Sequence, residues 1–184
     1  LAHLGTREVA RDLDILRSAV GDEKLTYVGY SYGTLIGSQY AQAFPDKVRA
    51  LVLDGAINPQ QDPMDTLIKQ NQGFEKAFET YAADCAKKSN CPLGTDPAKA
   101  ATNFQALSRP LIGHPVHTDD GRTLGYSDAL TGVTMALYSP DLWTALTKGL
   151  RELQQGNGTT LLALADVYEG RNPNGTYSNQ SEAF

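Results

Sequence analysis

The sequence is poor in several residue types that would mark particular protein classes. Only 2 Cys and 3 His occur in 184 residues. No Cys or His has partners at metal-ligand spacing, so no metal site is expected. Positive charge is in deficit, with 16 Lys and Arg against 21 Asp and Glu, a formal net charge of −5. This argues against a nucleic-acid partner held by bulk positive charge. No apolar run approaches the roughly 18 residues of a membrane helix, so no membrane span is expected. There is no leading Met and no signal-peptide pattern. Leu1-Ala2-His3-Leu4 and Ser181-Glu182-Ala183-Phe184 both read as the middle of a pattern. The expectation is a segment of a larger protein.

What is present is globular in character. Hydrophobic residues make up 41% of the chain and are spread throughout it, which argues against disorder. Val9, Leu13, Leu16 and Val20 recur on one helical face, predicting a helix over Thr6–Val20 with Thr6 as N-cap and Gly21 just past its end. Leu25–Tyr30 has the composition of a strand. Tyr32–Phe44 reads as helix closed by Pro45, and Arg49–Asp54 as a buried strand ending at Gly55. The order helix, strand, helix, strand implies two parallel strands joined by a right-handed crossover. Two strands cannot make a stable parallel sheet, which needs more strands and cover on both faces.

The character changes at Asn58. Pro59-Gln60-Gln61-Asp62-Pro63 reads as a linker, after which strand signals nearly vanish. Helices are predicted over Met64–Lys87 (with a break near Gly73), Pro97–Leu107, Ser127–Tyr138, from the Ser139-Pro140 start to Gln155, and over Thr159–Glu169. A hairpin is predicted over Pro115–Leu124, turning at Asp119-Asp120-Gly121. From Arg171 the tail reads as loop. The fold class expected is therefore α/β: an incomplete core over residues 1–58, then a mainly helical insertion over 59–184.

Gly29-Tyr30-Ser31-Tyr32-Gly33 matches G-x-S-x-G between a predicted strand and a predicted helix, the context of a nucleophile elbow. Small residues two before and two after the serine let such a turn close. Ser31 would then stand at the carboxyl end of the sheet as a nucleophile. The Tyr32 backbone N–H, at a helix N-terminus, would stabilise an oxyanion. A plain tight turn needing small residues is the competing reading.

Further positions extend the pattern: Asp12-Leu13-Asp14-Ile15-Leu16-Arg17, Gly21, Tyr27 through Thr34, Tyr40-Ala41, Phe44-Pro45, and Leu51-Val52-Leu53-Asp54-Gly55. Together they resemble the secreted tripeptidyl-aminopeptidase-like branch of the α/β-hydrolases, whose bacterial members are related to prolyl aminopeptidases. Tyr168 to Ser178 resembles the end of the lid in that group. The resemblance implies a partial α/β-hydrolase core followed by a helical lid, and a serine exopeptidase that acts through an acyl-enzyme on Ser31. Its substrate would be a peptide with a free N-terminus. It implies no cofactor. It also implies that the triad acid and histidine, with a second oxyanion donor, lie in remaining core segments outside this chain.

Alternatives stay open. The chain order nucleophile, acid, histidine admits a triad closed internally by Asp54 with His114 or His117; His3 is assigned no role. Cys85 and Cys91 could form a short disulfide, remain unpaired thiols, or make half of a metal site. The resemblance favours the disulfide, stabilising by roughly 2–3 kcal/mol on a chain-entropy estimate and implying a secreted or cell-envelope bacterial location. Asn157-Gly158-Thr159, Asn174-Gly175-Thr176 and Asn179-Gln180-Ser181 are acceptor sequons only in a eukaryotic secretory pathway and read here as surface loops. Tyr30 and Tyr32 could line a pocket or pack the elbow. Trp143, with Leu142, Leu146 and Leu150, reads as helix core. Asp65, Glu75, Glu79, Asp128, Asp141 and Glu169 are unranked candidates for binding a substrate amine. An esterase or lipase of the same fold is the rival enzyme. A non-catalytic piece that binds peptide or assembles with a complementary chain is the rival of another class.

Overall fold

The computed structural model describes residues 4–177, so His3 and the Asn179 sequon lie outside the described residues. The chain divides into two compact units between Thr66 and Leu67.

The first unit contains α1 (Thr6–Ala19), β1 (Leu25–Tyr30), α2 (Tyr32–Ala43) and β2 (Val48–Asp54), with a 3-10 turn at Pro45–Lys47 before β2. The strands pair in parallel, with Tyr27 opposite Leu51, Val28 opposite Val52 and Tyr30 opposite Asp54. Ala10, Leu25 and Tyr40 are buried, and Leu13, Tyr27, Phe44 and Val48 pack around them. One predicted detail is corrected at the first helix. The N-cap is Gly5, and the Thr6 hydroxyl instead shares a 2.7 Å hydrogen bond with the Tyr32 phenol. The other end follows expectation. Gly21 adopts φ 82°, its N–H donates to the Ser18 carbonyl and the Asp22 N–H to that of Arg17, the paired bonds of a Schellman ending.

α1 is pinned to α2 by polar groups beneath the surface. Arg17 is only 8% exposed. Its Nε donates to Asp14 at 2.8 Å, and the Tyr40 hydroxyl donates to the same Asp14 oxygen at 2.9 Å. The Arg17 hydrogen bond holds the Asp14 carboxyl below its ordinary range. Burial pushes the Tyr40 phenol upward, and Asp14 adds to that shift. The outward face of the strand pair has no such cover: Val28, Tyr30 and Val52 are 52%, 68% and 58% exposed.

The division between units falls within α3 (Pro63–Cys85), which is continuous through Gly73. A mid-helix glycine costs about 1 kcal/mol against alanine. Burial of Tyr81, Ala82 and Cys85 on the same helix outweighs it. The second unit continues with α4 (Ala100–Ser108), β3 (Val116–His117), β4 (Thr123–Leu124), α5 (Tyr126–Leu137), α6 (Trp143–Gln154) and α7 (Thr159–Glu169). The helix predicted to start at Pro97 begins as a 3-10 turn, and so does the one after Ser139. In both places the residue before proline caps the turn with its side chain. Arg171 and Tyr177 form an isolated antiparallel bridge in the tail, which had read simply as loop. The core gathers Tyr81, Leu93, Leu124, Leu146, Leu150 and Leu161. Trp143 packs edge-on to Tyr81, with ring centroids 5.8 Å apart. Cys85 and Cys91 are disulfide-bonded with Cα atoms 5.3 Å apart, closing the end of α3.

β3 and β4 form the expected hairpin, with Gly121 at φ 82° in its turn. Arg122 locks it to α7 by a two-pronged hydrogen bond to Asp166, at 2.9 and 2.6 Å, and reaches back to Asp120 at 2.7 Å. The Thr118 hydroxyl first, then Arg122, lower the Asp120 carboxyl from 3.8 to about 2. A depressed carboxylate stabilises the fold above its unfolded pKa, and that contribution is lost as pH falls through the folded value. The helical unit should therefore lose stability between pH 4 and pH 2 partly through Asp120. Asp120→Asn should flatten that limb of the acid-unfolding curve followed by circular dichroism. An unchanged limb would show that Asp120 does not contribute.

Candidate active site

β1 ends at Tyr30 and α2 begins at Tyr32, leaving Ser31 to make the whole reversal. Its backbone sits at φ 49°, ψ −118°. It is the sole non-glycine residue with positive φ among the described residues. Such a conformation costs on the order of 1–3 kcal/mol and persists only where the surroundings enforce it.

Those surroundings are specific. The Ser31 N–H donates to the Asp54 carbonyl at the end of β2, at 3.0 Å. The Ser31 carbonyl accepts the Thr34 N–H at 3.0 Å and the Thr34 hydroxyl at 2.6 Å. Thr34 is completely buried, and its Oγ1 also accepts the Ile57 N–H at 2.9 Å. The two motif glycines do unequal work. A Cβ on Gly29 would lie 2.6 Å from the Gly33 carbonyl oxygen, whereas one on Gly33 would meet only the Tyr27 hydroxyl, at 3.3 Å. That hydroxyl donates to the Gly33 carbonyl at 2.8 Å. Burial pushes the Tyr27 phenol upward, so it stays protonated and keeps donating at neutral pH.

The result is an exposed serine at the start of α2, where the helix dipole favours negative charge. Tyr32 is half-buried and held through its phenol to Thr6. Tyr30 is 68% exposed, while Tyr40 is wholly buried as core.

The other flagged residues are distributed as follows. Asp54 is exposed at the end of β2. His114 and His117 belong to the second unit, where the His114 N–H donates to the Pro110 carbonyl and the His117 carbonyl accepts the Gly158 N–H. Asp128 accepts the Gly125 N–H at the start of α5, and Glu79 pairs with Lys76 at 3.5 Å. Asp65, Glu75, Asp141 and Glu169 are exposed. No group of His, Cys, Asp and Glu arranged to hold a metal occurs among the described residues. The helical unit carries an apolar groove of about 300 Å³ lined by Phe74, Phe78, Phe104, Tyr126, Leu130 and Val133. Sequence reasoning attached no role to Tyr27 or Thr34 as supports of the turn. The one available signal was their adjacency to the G-x-S-x-G stretch.

A strand, a strained serine and a helix in immediate succession have the geometry of a strand-to-helix elbow. Residues 2–173 match the α/β-hydrolase fold family, and the chain belongs to it. Among individual proteins, it is 55% identical over its full length to the serine protease Hip1 of Mycobacterium tuberculosis, covering 36% of that protein. It is 51% identical over its full length to carboxylesterase B of the same species, again covering 36%. Over 90% of its length it is 29% identical to tripeptidyl aminopeptidase of Streptomyces lividans, covering 30%. The chain thus spans about a third of the length of these relatives.

Proposed function

We propose that this chain is the nucleophile-bearing part of a secreted or cell-envelope serine exopeptidase, with Ser31 as nucleophile and the Tyr32 N–H as one oxyanion donor. The observation that carries the reading is the exposed, strained Ser31 at a strand-to-helix turn. Ser31 attacks a peptide carbonyl near a free N-terminus. A histidine supplied from outside the chain takes its proton and returns it to the leaving amine. The acid of the triad and the other oxyanion donor come from the remaining core segments. Residues 59–184 make up the helical lid insertion of that enzyme. The disulfide and the relatives named a serine protease and a tripeptidyl aminopeptidase support this reading.

A second reading has its own support. The relative named a carboxylesterase favours esters as substrates. The choice turns on leaving groups, because acyl transfer to serine serves both. The intact protein carrying this chain should be profiled against a tripeptide anilide with a free N-terminus, its N-acetylated form and short-chain nitrophenyl esters. The exopeptidase reading expects turnover of the free tripeptide and loss on acetylation. Turnover of esters alone would replace it with the esterase reading.

A further inference from the structure

We propose that Thr34 is a positioning residue for acyl transfer, its hydroxyl fixing the Ser31–Tyr32 peptide so that the Tyr32 N–H points at the developing oxyanion. This rests on the reading of Ser31 as nucleophile. A trans peptide is a rigid plane whose carbonyl and N–H point in opposite directions, so holding one end aims the other. The carbonyl end belongs to Ser31, and Thr34 holds it twice, by its N–H at 3.0 Å and its hydroxyl at 2.6 Å.

A hydroxyl has one proton to give and can accept in return. Thr34 gives its proton to Ser31 and accepts from the Ile57 N–H at 2.9 Å. The residue has no solvent exposure, so water cannot replace either bond in its absence. The Ser31 N–H is meanwhile tied to the Asp54 carbonyl. The serine is therefore clamped on both sides to the end of β2 and the residues just after it. Without the hydroxyl, the peptide keeps one anchor fewer and can rock, and the backbone amide loses its aim. Substrate binding in the ground state does not depend on that aim, whereas a tetrahedral adduct does.

Thr34→Val keeps the shape and removes both bonds. In the intact protein, on whichever reporter it turns over, kcat should fall about 10- to 100-fold, the scale of a misplaced oxyanion donor. KM should stay within about twofold, as expected when only transition-state contacts are lost. Affinity for a peptide boronic acid, which forms a tetrahedral adduct, should fall in step with kcat. Thr34→Ser should restore both to within about threefold, since the hydroxyl is what acts. If Thr34→Val does not fold, Thr34→Cys carries the test: a thiol donates weakly, so its kcat and boronate affinity should lie well below those of Thr34→Ser.

The proposal is overturned if the loss falls on KM, if boronate affinity holds while kcat drops, or if Ser and Val (or Cys) variants behave alike. Mass mapping of a fluorophosphonate adduct separates the two layers. An adduct elsewhere than Ser31 overturns both the nucleophile reading and this one. An adduct on Ser31 with indifferent Thr34 variants overturns this one alone.

Discussion

Replacing Ser31 with alanine in the intact protein is expected to lower kcat by on the order of 10⁵- to 10⁶-fold, the scale seen when a serine hydrolase loses its nucleophile. Stability should not change with it. The Ser31 backbone is held by the Asp54 carbonyl and by Thr34 rather than by the serine side chain, and alanine meets the same backbone strain. Ser31→Gly separates the two effects. Glycine adopts positive φ at little cost, so this variant should be equally inactive yet about 1 kcal/mol more stable, from the relieved strain. Thermal melts beside steady-state kinetics read both quantities. Retention of more than about a tenth of parental kcat by Ser31→Ala would remove Ser31 from the mechanism. A Gly variant no more stable than the Ala variant would show that the turn stores no strain. The expected outcome describes a site where stability is surrendered to hold a reactive group in place.

The second large effect lies in the helical unit and concerns folding alone. Leu161 on α7 is fully buried and sits against Gly132 on α5 and Gly149 on α6. A Cβ at position 132 would lie 2.3 Å from the Leu161 carbonyl oxygen and 3.4 Å from the Ala165 nitrogen. Both obstacles are backbone, so α5 and α7 must move apart to admit one methyl group. Overpacking of this kind costs about 1–3 kcal/mol, and Gly132→Ala is expected near the top of that range. Gly149→Ala differs in kind. Its nearest obstacles are Leu161 side-chain carbons at 2.9 and 3.0 Å, which can be trimmed, with the Leu161 backbone nitrogen next at 3.2 Å. Leu161→Ala costs stability itself by opening a cavity. It should partly compensate Gly149→Ala in a double-mutant cycle and combine almost additively with Gly132→Ala. Urea unfolding provides the numbers. Equal coupling of Leu161→Ala to both glycines would contradict the distinction between backbone and side-chain obstruction.

Much of the architecture was readable in advance because it rests on local chemistry. Periodic apolar residues marked α1, Gly21 marked its end, and Asp119-Asp120-Gly121 marked the hairpin turn. The strand-to-helix turn at Ser31 was legible because strand, small-residue turn and helix follow one another without a gap. The disulfide was legible once the resemblance had narrowed the choices for Cys85 and Cys91. The misses are long-range. Thr6 has the residue type of an N-cap, but the Tyr32 phenol, 26 residues away, engages its hydroxyl. Gly73 looks like a helix break, but the burial further along α3 outweighs its local cost. Thr34 reads as one more residue in the first turn of a helix, because its second partner, Ile57, is 23 positions on. Gly132 and Gly149 carry no sequence mark of a close helix approach at all.

The uncovered array of Val28, Tyr30 and Val52 has a practical consequence at the bench. An exposed apolar patch on a sheet face promotes association between copies. A preparation of these 184 residues alone should cloud as it is concentrated and elute early and broadly on sizing columns. Glutamate at position 28 or 52 would be the first remedy to try, trading an apolar contact surface for a charge that adds to the net −5 by which copies repel one another.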